Sequence, residues 1–350
     1  MDAAGFDYTL PDAAIAQRPA EPRDSSRLLV DGDPVSHLLT SDFPTLIRPG
    51  DVVVLNDTRV LPARLHLTKA TGGKVEVLAL EPAEPGAVAR HRVDQAGDWW
   101  EALVRPSRRV PDGTLLQRSG DRAVLQVGPA TGEGTRLVAP VGCTWDELLG
   151  AHGEVPLPPY ITTPLTEPDR YQTVYAENPS SVAAPTAGLH LTAEAIERCV
   201  AAGAEVHKVE LAVGVGTFRP LEADVVEDHV MHSERYVIEE DTWDACRRAD
   251  RVVAVGTTVV RTLEAAAATG SLSGRTDLFI RPGHRFQVVD ALLTNFHMPR
   301  STLLVMLEAF IGPRWRDLYR IALDEGYRFL SFGDAMFIER DRSQTLDGGA

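Results

Sequence analysis

The chain has 350 residues, 44% of them hydrophobic, and its 35 basic and 50 acidic residues give a formal net charge of −15. The length predicts about two domains, and the composition excludes a disordered chain. The negative charge argues against a protein coated in basic residues, although a local basic groove is compatible with it. The three cysteines form no CxxC pair, which predicts a reducing compartment and no zinc site. The N-terminus is acidic and lacks a signal core, and no apolar run is long enough to span a bilayer. We therefore expect a cytoplasmic protein without a membrane segment.

The first 64 residues contain an arginine-rich loop and a buried strand. Arg18, Arg23 and Arg27 lie close together among prolines, which is typical of a solvated basic loop or of an anion-binding loop. Val52–Leu55 is continuously apolar and predicts a strand covered on both faces. The strand ends in a polar cluster that predicts either a plain turn or a ligand contact. The cluster comprises Asn56, Asp57, Thr58 and Arg59.

From residue 65 to about residue 150 the pattern changes to short alternating segments separated by Gly, Pro and Asp clusters. This spacing is typical of a small antiparallel barrel or sandwich. Arg105, Arg108 and Arg109 form a basic group there, which predicts either a solvated hairpin or a contact with nucleic-acid phosphates. We therefore expect an α/β domain formed by residues 1–64 and 151–341, an inserted β domain over residues 65–150, and a polar tail over residues 342–350.

Small residues surround Thr186 and His190 in the stretch of residues 180–192. They allow the backbone to pass close to a ligand, and His190 lies one turn before a helix predicted over Ala193–Ala202. Thr192 is the expected N-cap of that helix. A lone histidine is more often structural, but this position favours a functional one.

A Gly-x-Gly turn follows the next predicted strand. It lacks the third glycine of a dinucleotide-binding motif, so it predicts a tight turn whose backbone contacts a ligand through Gly214, Gly216 and Thr217. His229 and His232 come next. Because a metal site needs at least three converging ligands, these histidines predict a polar contact to a substrate or a nucleic acid, or a plain surface loop, rather than a metal centre.

Two strand–loop–helix units follow. In the first, Arg251–Val255 predicts a buried strand, and Thr257 or Thr258 is expected to cap the next helix. Thr257, Thr258 and the free N–H groups there form either a polar cradle for a ligand or an ordinary helix cap. Arg261 and Glu264 lie one turn apart and can form an ion pair on that helix.

In the second unit, the apolar stretch Phe286–Leu293 predicts a strand and Thr302–Phe310 predicts a buried helix with Ser301 as its N-cap. Loops at strand ends next to helix N-termini are where α/β proteins bind ligands. The alternative is a turn whose polar groups only cap the helix. The loop carries four hydrogen-bonding side chains, Thr294, Asn295, His297 and Arg300.

Motifs along nearly the whole chain resemble those of the S-adenosylmethionine:tRNA ribosyltransferase-isomerases of queuosine biosynthesis. In chain order the motifs include FDYTLP, EPRDSSRLLV, GDVVVLNDTRVLPARL, RYQTVYA, SVAAPTAGLH, VGVGTFRP, HVMHSE, VAVGTTVVRTLE and VVDALLTNFHMPRSTLL. The resemblance implies a barrel-like α/β catalytic domain with an inserted small antiparallel β-barrel domain. It also implies an enzyme that transfers the ribosyl part of S-adenosylmethionine to 7-aminomethyl-7-deazaguanine at the tRNA wobble position and isomerises it. The product is epoxyqueuosine, and adenine and methionine leave.

The partners that the resemblance implies are this tRNA and S-adenosylmethionine, which is consumed as a substrate and is not a cofactor. No cofactor, metal or membrane is implied, and we expect a monomer.

The implied chemistry needs a base, an acid for the leaving adenine and polar groups that hold the sugar. The expected catalytic residues are His190 and His297, as acid and base, and Asp290. Arg59 and Arg261 are expected to bind the methionine carboxylate. The other expected substrate-binding residues are Asn56, Asp57, Thr186, Gly214, Gly216, Thr217, His229, His232, Thr258 and Asn295. The expected tRNA-binding groove comprises Arg18, Arg23, Arg105, Arg108, Arg109 and Arg285.

The sequence departs from the family pattern at three positions. Ala212, Leu191 and Arg275 stand where His, Phe and Trp are expected. The alanine beside the Gly-x-Gly turn leaves open a second possibility, a tRNA-binding relative that has lost catalysis. A third possibility is a methyltransferase that uses this turn for its cofactor and produces S-adenosylhomocysteine.

Overall fold

The computed structural model describes residues 1–91, 93, 98–118, 122–132, 134–214, 221 and 223–341. Within these ranges the strands are, in chain order, β1 (Arg27–Val30), β2 (Ser36–Leu39), β3 (Asp51–Asn56), β4 (Thr58–Val60), β5 (Arg64–Lys69), β6 (Lys74–Pro82), β7 (Trp100–Arg105), β8 (Thr114–Gln117), β9 (Ala123–Gly132), β10 (Thr135–Pro140), β11 (Gly153–Glu154), β12 (Asn178–Ser181), β13 (Glu205–Leu211), β14 (Glu234–Ile238), β15 (Arg251–Val255), β16 (Ser273–Thr276), β17 (Ala291–Asn295) and β18 (Ala335–Glu339). The α-helices are α1 (Pro85–Arg90), α2 (Trp145–His152), α3 (Ala193–Ala201), α4 (Glu240–Arg248), α5 (Thr257–Thr269), α6 (Thr302–Ile311) and α7 (Arg314–Asp324). None of the helices in the described ranges combines the length and the hydropathy that crossing a bilayer requires.

The chain divides into two compact units, which we term the α/β unit and the barrel unit. The α/β unit comprises Met1–Arg59, Pro158–Pro179 and Ala184–Ala350, and the barrel unit comprises Val60–Leu157 and Ser180–Ala183. The boundaries expected from the sequence lie after residues 64 and 150.

The α/β unit is built on a nine-stranded mixed sheet with the strand order β16-β14-β13-β3-β15-β17-β18-β1-β2. Its central strands β13, β3, β15 and β17 run parallel to one another. Their carboxyl ends therefore lie at one edge of the sheet, which we term the carboxyl edge, and the opposite edge is the amino edge. Every residue of β3, β15 and β17 is buried, because both faces of these strands are covered.

One face of this sheet packs against α3 and the 3-10 turn Thr186–His190. A single apolar cluster joins Leu55, Val255 and Leu293 of the sheet with Leu191, which follows the turn. Helix α5 packs against the same central strands and covers the opposite face. The sheet therefore holds the turn and the first residues of α5 next to its carboxyl edge.

The barrel unit is a closed antiparallel barrel of six strands in the order β5-β6-β7-β10-β9-β8, with β8 pairing back to β5. Leu137 and Trp99 belong to its core. A Cβ on Gly128 would lie 2.9 Å from Cζ3 of Trp99, so glycine is required where this ring crosses the strand. The inserted antiparallel barrel and the α/β class expected from the sequence are thus confirmed.

The predicted ion pair between Arg261 and Glu264 is wrong. Arg261 pairs instead with Glu234, which lies in strand β14. The Glu264 carboxylate is completely buried and accepts hydrogen bonds from the three successive amides of residues 287–289. These amides cannot also join a ladder, so the strand predicted over Phe286–Leu293 begins only at Ala291.

The predicted helix caps are partly confirmed. Ser301 caps α6 and Thr192 caps α3, each by accepting a backbone N–H with its hydroxyl. The cap predicted for α5 is wrong, because Thr257 is already the first helical residue. The N-cap residue is Gly256, which has φ 96° and no side chain to bond the first turn.

Candidate active site at the carboxyl edge

Asn56 joins three elements at the carboxyl edge of the α/β unit. Its Nδ2 donates to the Leu211 carbonyl (3.1 Å) and to Oγ1 of Thr258 (3.3 Å), and its Oδ1 accepts from the Thr58 amide (3.2 Å). The side chain is completely buried. Asn56 therefore fixes the end of β3 against the end of β13 and the first turn of α5, which sets the frame for the groups around it.

A hydrogen-bond network connects four side chains next to this frame, and we term it the His190 network. Thr186 Oγ1 donates to Oδ1 of Asn295 (2.9 Å). Nδ2 of Asn295 lies 2.9 Å from Nε2 of His190, and Nδ1 of His190 lies 2.7 Å from Oγ of Ser26. The structure thus brings together three of the predicted site residues and adds Ser26, which the sequence did not single out because it lies 164 positions before the histidine.

The partners of His190 determine its protonation state. The amide nitrogen of Asn295 can only donate, so Nε2 of His190 accepts and the ring proton lies on Nδ1, which donates to Ser26. Burial lowers the pKa of His190 to about 3, which agrees with a neutral ring. Because both ring nitrogens already have hydrogen-bond partners, His190 is suited to hold the side chain of Asn295 in a fixed orientation. The predicted acid–base role stays a prediction.

His297 approaches β17 from the other side. Its Nε2 lies 3.0 Å from Oγ1 of Thr294, whereas His190 bonds to Asn295, and successive side chains of a strand point to opposite faces. The two predicted catalytic histidines are therefore not brought face to face. Burial lowers the pKa of His297 to about 3, and the described residues place no hydrogen-bond partner on its Nδ1.

Asp290 lies at the amino edge, away from the other predicted catalytic residues. Its carboxylate accepts from the Val252 amide (3.1 Å) and from Nη2 of Arg340 (3.1 Å). Asn295 is the last residue of β17 and lies five residues after Asp290 along an extended chain, a span of about 16 Å. The assignment of Asp290 to the catalytic group is therefore corrected, since its position and its partners are those of a residue that braces the sheet.

Asp57 is buried at the carboxyl edge, and its two carboxylate oxygens have different surroundings. Its Oδ2 accepts from Nδ2 of Asn178 (3.2 Å), and Oδ1 has no partner in the described part of the chain. Burial raises the pKa of this carboxyl group. Burial also raises the pKa of Tyr175, and the negative charge of Asp57 adds to this increase. The Tyr175 hydroxyl lies against Gly188, where a Cβ would come within 1.9 Å of it. The sequence offered a signal for this tyrosine only as part of the RYQTVYA motif.

A small cleft of about 30 Å³ lies at the carboxyl edge where α5 and α6 begin. We term it the Arg261 cleft. The residues that line it include His229, His232, Glu234, Thr258, Arg261 and Thr302. Four of these were predicted to bind substrate, and Glu234 was not. No group of three or more potential metal ligands converges within the described ranges.

The remaining predicted substrate-binding residues are placed differently. Arg59 is exposed, and its guanidinium donates to the Ala176 carbonyl (3.4 Å). It does not line the Arg261 cleft. The Gly214 amide donates to Oε1 of Glu234 (3.0 Å), so the start of the Gly-x-Gly turn reaches the cleft. Gly216 and Thr217 lie outside the described residues.

The arginines predicted to bind tRNA are distributed over both units. Arg18 and Arg285 are exposed on the α/β unit, and Arg105, Arg108 and Arg109 are exposed on the barrel unit. Arg23 is only partly accessible, and its guanidinium donates to the carbonyls of Gln172 and Leu189 (both 2.9 Å). Burial lowers its pKa. Arg23 therefore supports the backbone on either side of the site more directly than it faces a phosphate.

The three departures from the family pattern have clear structural positions. Arg275 lies in β16, and its guanidinium donates to Oγ (3.2 Å) and to the carbonyl (2.8 Å) of Ser233. Leu191 is buried in the apolar cluster below the sheet, where it takes a purely packing role. Ala212 follows β13, and its amide donates to the Arg235 carbonyl (3.0 Å). A backbone contact of this kind is independent of the side chain at position 212.

Comparisons with known proteins agree with this architecture. Residues 3–338 match the family model described as queuosine biosynthesis protein. The S-adenosylmethionine:tRNA ribosyltransferase-isomerase of Moorella thermoacetica is 48% identical over 348 residues, covering 95% of this chain and 98% of the relative. The protein of the same name from Thermus thermophilus is 48% identical with the same coverage. The crystal structure of the S-adenosylmethionine tRNA ribosyltransferase from Thermotoga maritima is similar with a TM-score of 0.52 and 36% identity, over 95% of this chain and 99% of that one. The chain therefore belongs to the queuosine biosynthesis protein family.

Proposed function

We propose that this chain is an S-adenosylmethionine:tRNA ribosyltransferase-isomerase. It transfers the ribosyl moiety of S-adenosylmethionine to the aminomethyl group of 7-aminomethyl-7-deazaguanine in the tRNA anticodon and isomerises the sugar. Epoxyqueuosine forms in the tRNA, and adenine and methionine are released. The two substrates are therefore a sulfonium nucleoside and a tRNA.

The observation that carries the proposal is the adjacency of the His190 network and the Arg261 cleft at one sheet edge. A Cβ on Gly256 would lie 3.6 Å both from Cβ of Ala187 and from Oγ1 of Thr258. The turn that carries Thr186 and the first turn of α5 thus lie side by side. A nucleoside with an amino-acid tail needs this combination, because its sugar and its tail must be held by different polar groups.

The side chains divide the work of the reaction. Thr186 and Asn295 hydrogen-bond the sugar or the adenine, and His190 holds the Asn295 amide in place. Asp57 orients a ribose hydroxyl with Oδ1, which no described residue bonds. His297 remains the candidate that exchanges a proton, because its Nδ1 is not engaged by a described residue. The exposed arginines contact the phosphates of the tRNA. Because the protein has a net charge of −15, local basic groups of this kind are needed to bind the negatively charged tRNA.

The products of one incubation test the proposal. The protein is mixed with S-adenosylmethionine and a tRNA that carries the aminomethyl base, and a tRNA with an unmodified guanine serves as the control. We expect adenine and methionine in equal amounts with the modified tRNA, and neither with the control. S-adenosylhomocysteine as the product would show a methyltransferase, and tRNA binding without any product would show a relative that has lost catalysis.

A further inference from the structure

The guanidinium of Arg261 is held from two sides and left open on the third. Its Nε donates to the Leu278 carbonyl (3.2 Å) and its Nη1 to Oε2 of Glu234. Its Nη2 is buried and has no hydrogen-bond partner in the described part of the chain. The residue is only 8% exposed and lines the cleft. A buried N–H of a charged group without an acceptor is costly, so a ligand that supplies an acceptor is expected there.

Glu234 gives the same cleft a buried negative charge. The residue is 5% exposed, and its two carboxylate oxygens bond to Arg261 and to the Gly214 amide. Because its partner Arg261 is fixed by the Leu278 carbonyl as well, the ion pair presents one cation and one anion to the cleft in a fixed arrangement. The net charge that the pair brings to a ligand is zero.

Two helix N-termini add to the positive side of the cleft. Thr257 and Thr258 are the first residues of α5, which begins after Gly256 without a side-chain cap. Thr302 and Leu303, the first residues of α6, line the cleft as well. The free amides of a first helical turn and the helix dipole favour a bound negative group.

We propose that the Arg261 cleft binds the zwitterionic amino-acid end of the sulfonium nucleoside, with its carboxylate on Nη2 of Arg261 and on the first-turn amides of α5 and its ammonium towards Glu234. This inference rests on the proposed function and deepens it. Glu234 is then both a ligand for the ammonium and the positioning residue of Arg261. A phosphate fits the cleft less well, because its negative charges would face an ion pair that is neutral overall and would lie beside the Glu234 carboxylate.

Competitive inhibition of adenine release by the wild-type protein tests the inference without any substitution. The probes are S-adenosylhomocysteine and its decarboxylated analogue, which share the nucleoside and the amine. We expect the decarboxylated analogue to bind about 10- to 100-fold more weakly, the range for losing hydrogen bonds from a charged donor. In the Arg261→Met variant, S-adenosylhomocysteine should weaken by a similar factor, and the difference between the two probes should disappear. Glu234→Gln should weaken both probes, since both keep the amine.

The matched control is Arg235→Ala. Arg235 follows Glu234 on β14 but is exposed and pairs with Glu210, so its loss should leave both inhibition constants unchanged. Equal binding of the two probes to a wild-type protein that releases adenine would overturn the inference and leave the proposed function intact. The inference would also be overturned, and the proposed function left intact, if inorganic phosphate competed with S-adenosylmethionine in the wild type but not in Arg261→Met. Absence of adenine release from the wild type would overturn both together.

Discussion

At the amino edge of the central sheet, Arg251 donates four hydrogen bonds, three to the carboxylates of Asp51 and Glu339 and one to the Leu46 carbonyl. At the carboxyl edge, Arg261 is buried to a similar degree but leaves Nη2 without a partner in the described part of the chain. Asp57 likewise leaves Oδ1 without a partner among the described residues at this edge. The two edges use the same residue types at similar depth, and they differ in how completely the protein itself satisfies them.

This difference separates groups that hold the fold from groups that are available to a ligand. Burying a charge is costly in both places, and only a partner offsets the cost. At the amino edge the partners are protein atoms, although Nε of Arg340 is an exception among the described residues. At the carboxyl edge, the atoms that no described residue bonds lie beside a cleft and beside the His190 network. Completeness of hydrogen bonding is therefore a better guide to the site than burial or residue type.

The largest expected effect is on the amino edge. Arg251→Ala should lower the free energy of unfolding by about 3–5 kcal/mol, because it leaves the Asp51 carboxylate buried without its cation. Urea unfolding measures this, and Arg248→Ala, an exposed arginine at the end of α4, is the control with no expected change. Adenine release per folded molecule should stay within about twofold of wild type. A loss of release that exceeds the loss of folded protein would contradict the distinction between the two edges.

The next effect concerns the carboxyl edge. Asn295→Ala should reduce adenine release by about 100-fold or more, because it removes the amide that bonds Thr186 and leaves Nε2 of His190 buried without a donor. The rate is measured at saturating substrates, with the folded fraction checked by circular dichroism. Arg251→Ala provides a destabilised reference that keeps its rate. An Asn295→Ala protein that releases adenine at near wild-type rates would show that the network only stabilises the fold.

The buried histidines should make stability depend on pH. Burial lowers the pKa of His190 and of His297 to about 3, below the value of about 6.5 for an unfolded chain. As the pH falls from 6.5 towards 3, only the unfolded state takes up these protons, so each histidine costs up to about 1.4 kcal/mol of stability per pH unit. Urea unfolding between pH 4 and pH 8 measures the slope. His190→Gln and His297→Gln should each remove about half of this contribution, and no difference in slope should remain above pH 7. Unchanged slopes in both variants would mean that the two rings take up protons in the folded state.

Much of the framework follows from apolar patterns in the sequence. Continuous runs such as Val52–Leu55 and Arg251–Val255 mark strands that are buried on both faces, and the alternating segments after residue 65 mark the barrel. Ser301 marks the start of α6 because its capping partner is three residues away. These features depend on near neighbours in the chain, which is why the sequence reveals them.

The partners within the site depend on contacts between distant segments, and local spacing misleads there. Arg261 and Glu264 are one helical turn apart, yet Arg261 bonds Glu234 from another strand and Glu264 bonds the amides of residues 287–289. Asp290 and Asn295 belong to one motif, yet β17 carries them to opposite edges of the sheet. The apolar pattern predicts a strand over Phe286–Leu293, which includes Asp290. The observed strand begins at Ala291, so Asp290 lies before it at the amino edge.

The smallest effect tests whether the carboxyl edge is sensitive to one hydroxyl group. Thr186→Val keeps the side-chain shape but removes the hydrogen bond to Oδ1 of Asn295, so we expect about a tenfold loss of adenine release. The same substitution at Thr192 removes the N-cap of α3 and should cost about 1 kcal/mol of stability without slowing release. Rates and urea midpoints of the two variants are measured together. If Thr186→Val lost stability but kept its rate, as Thr192→Val should, the Thr186 hydroxyl would act as a framework group like those of the amino edge. A slowed but stable Thr186→Val would place it with the groups that meet the substrate.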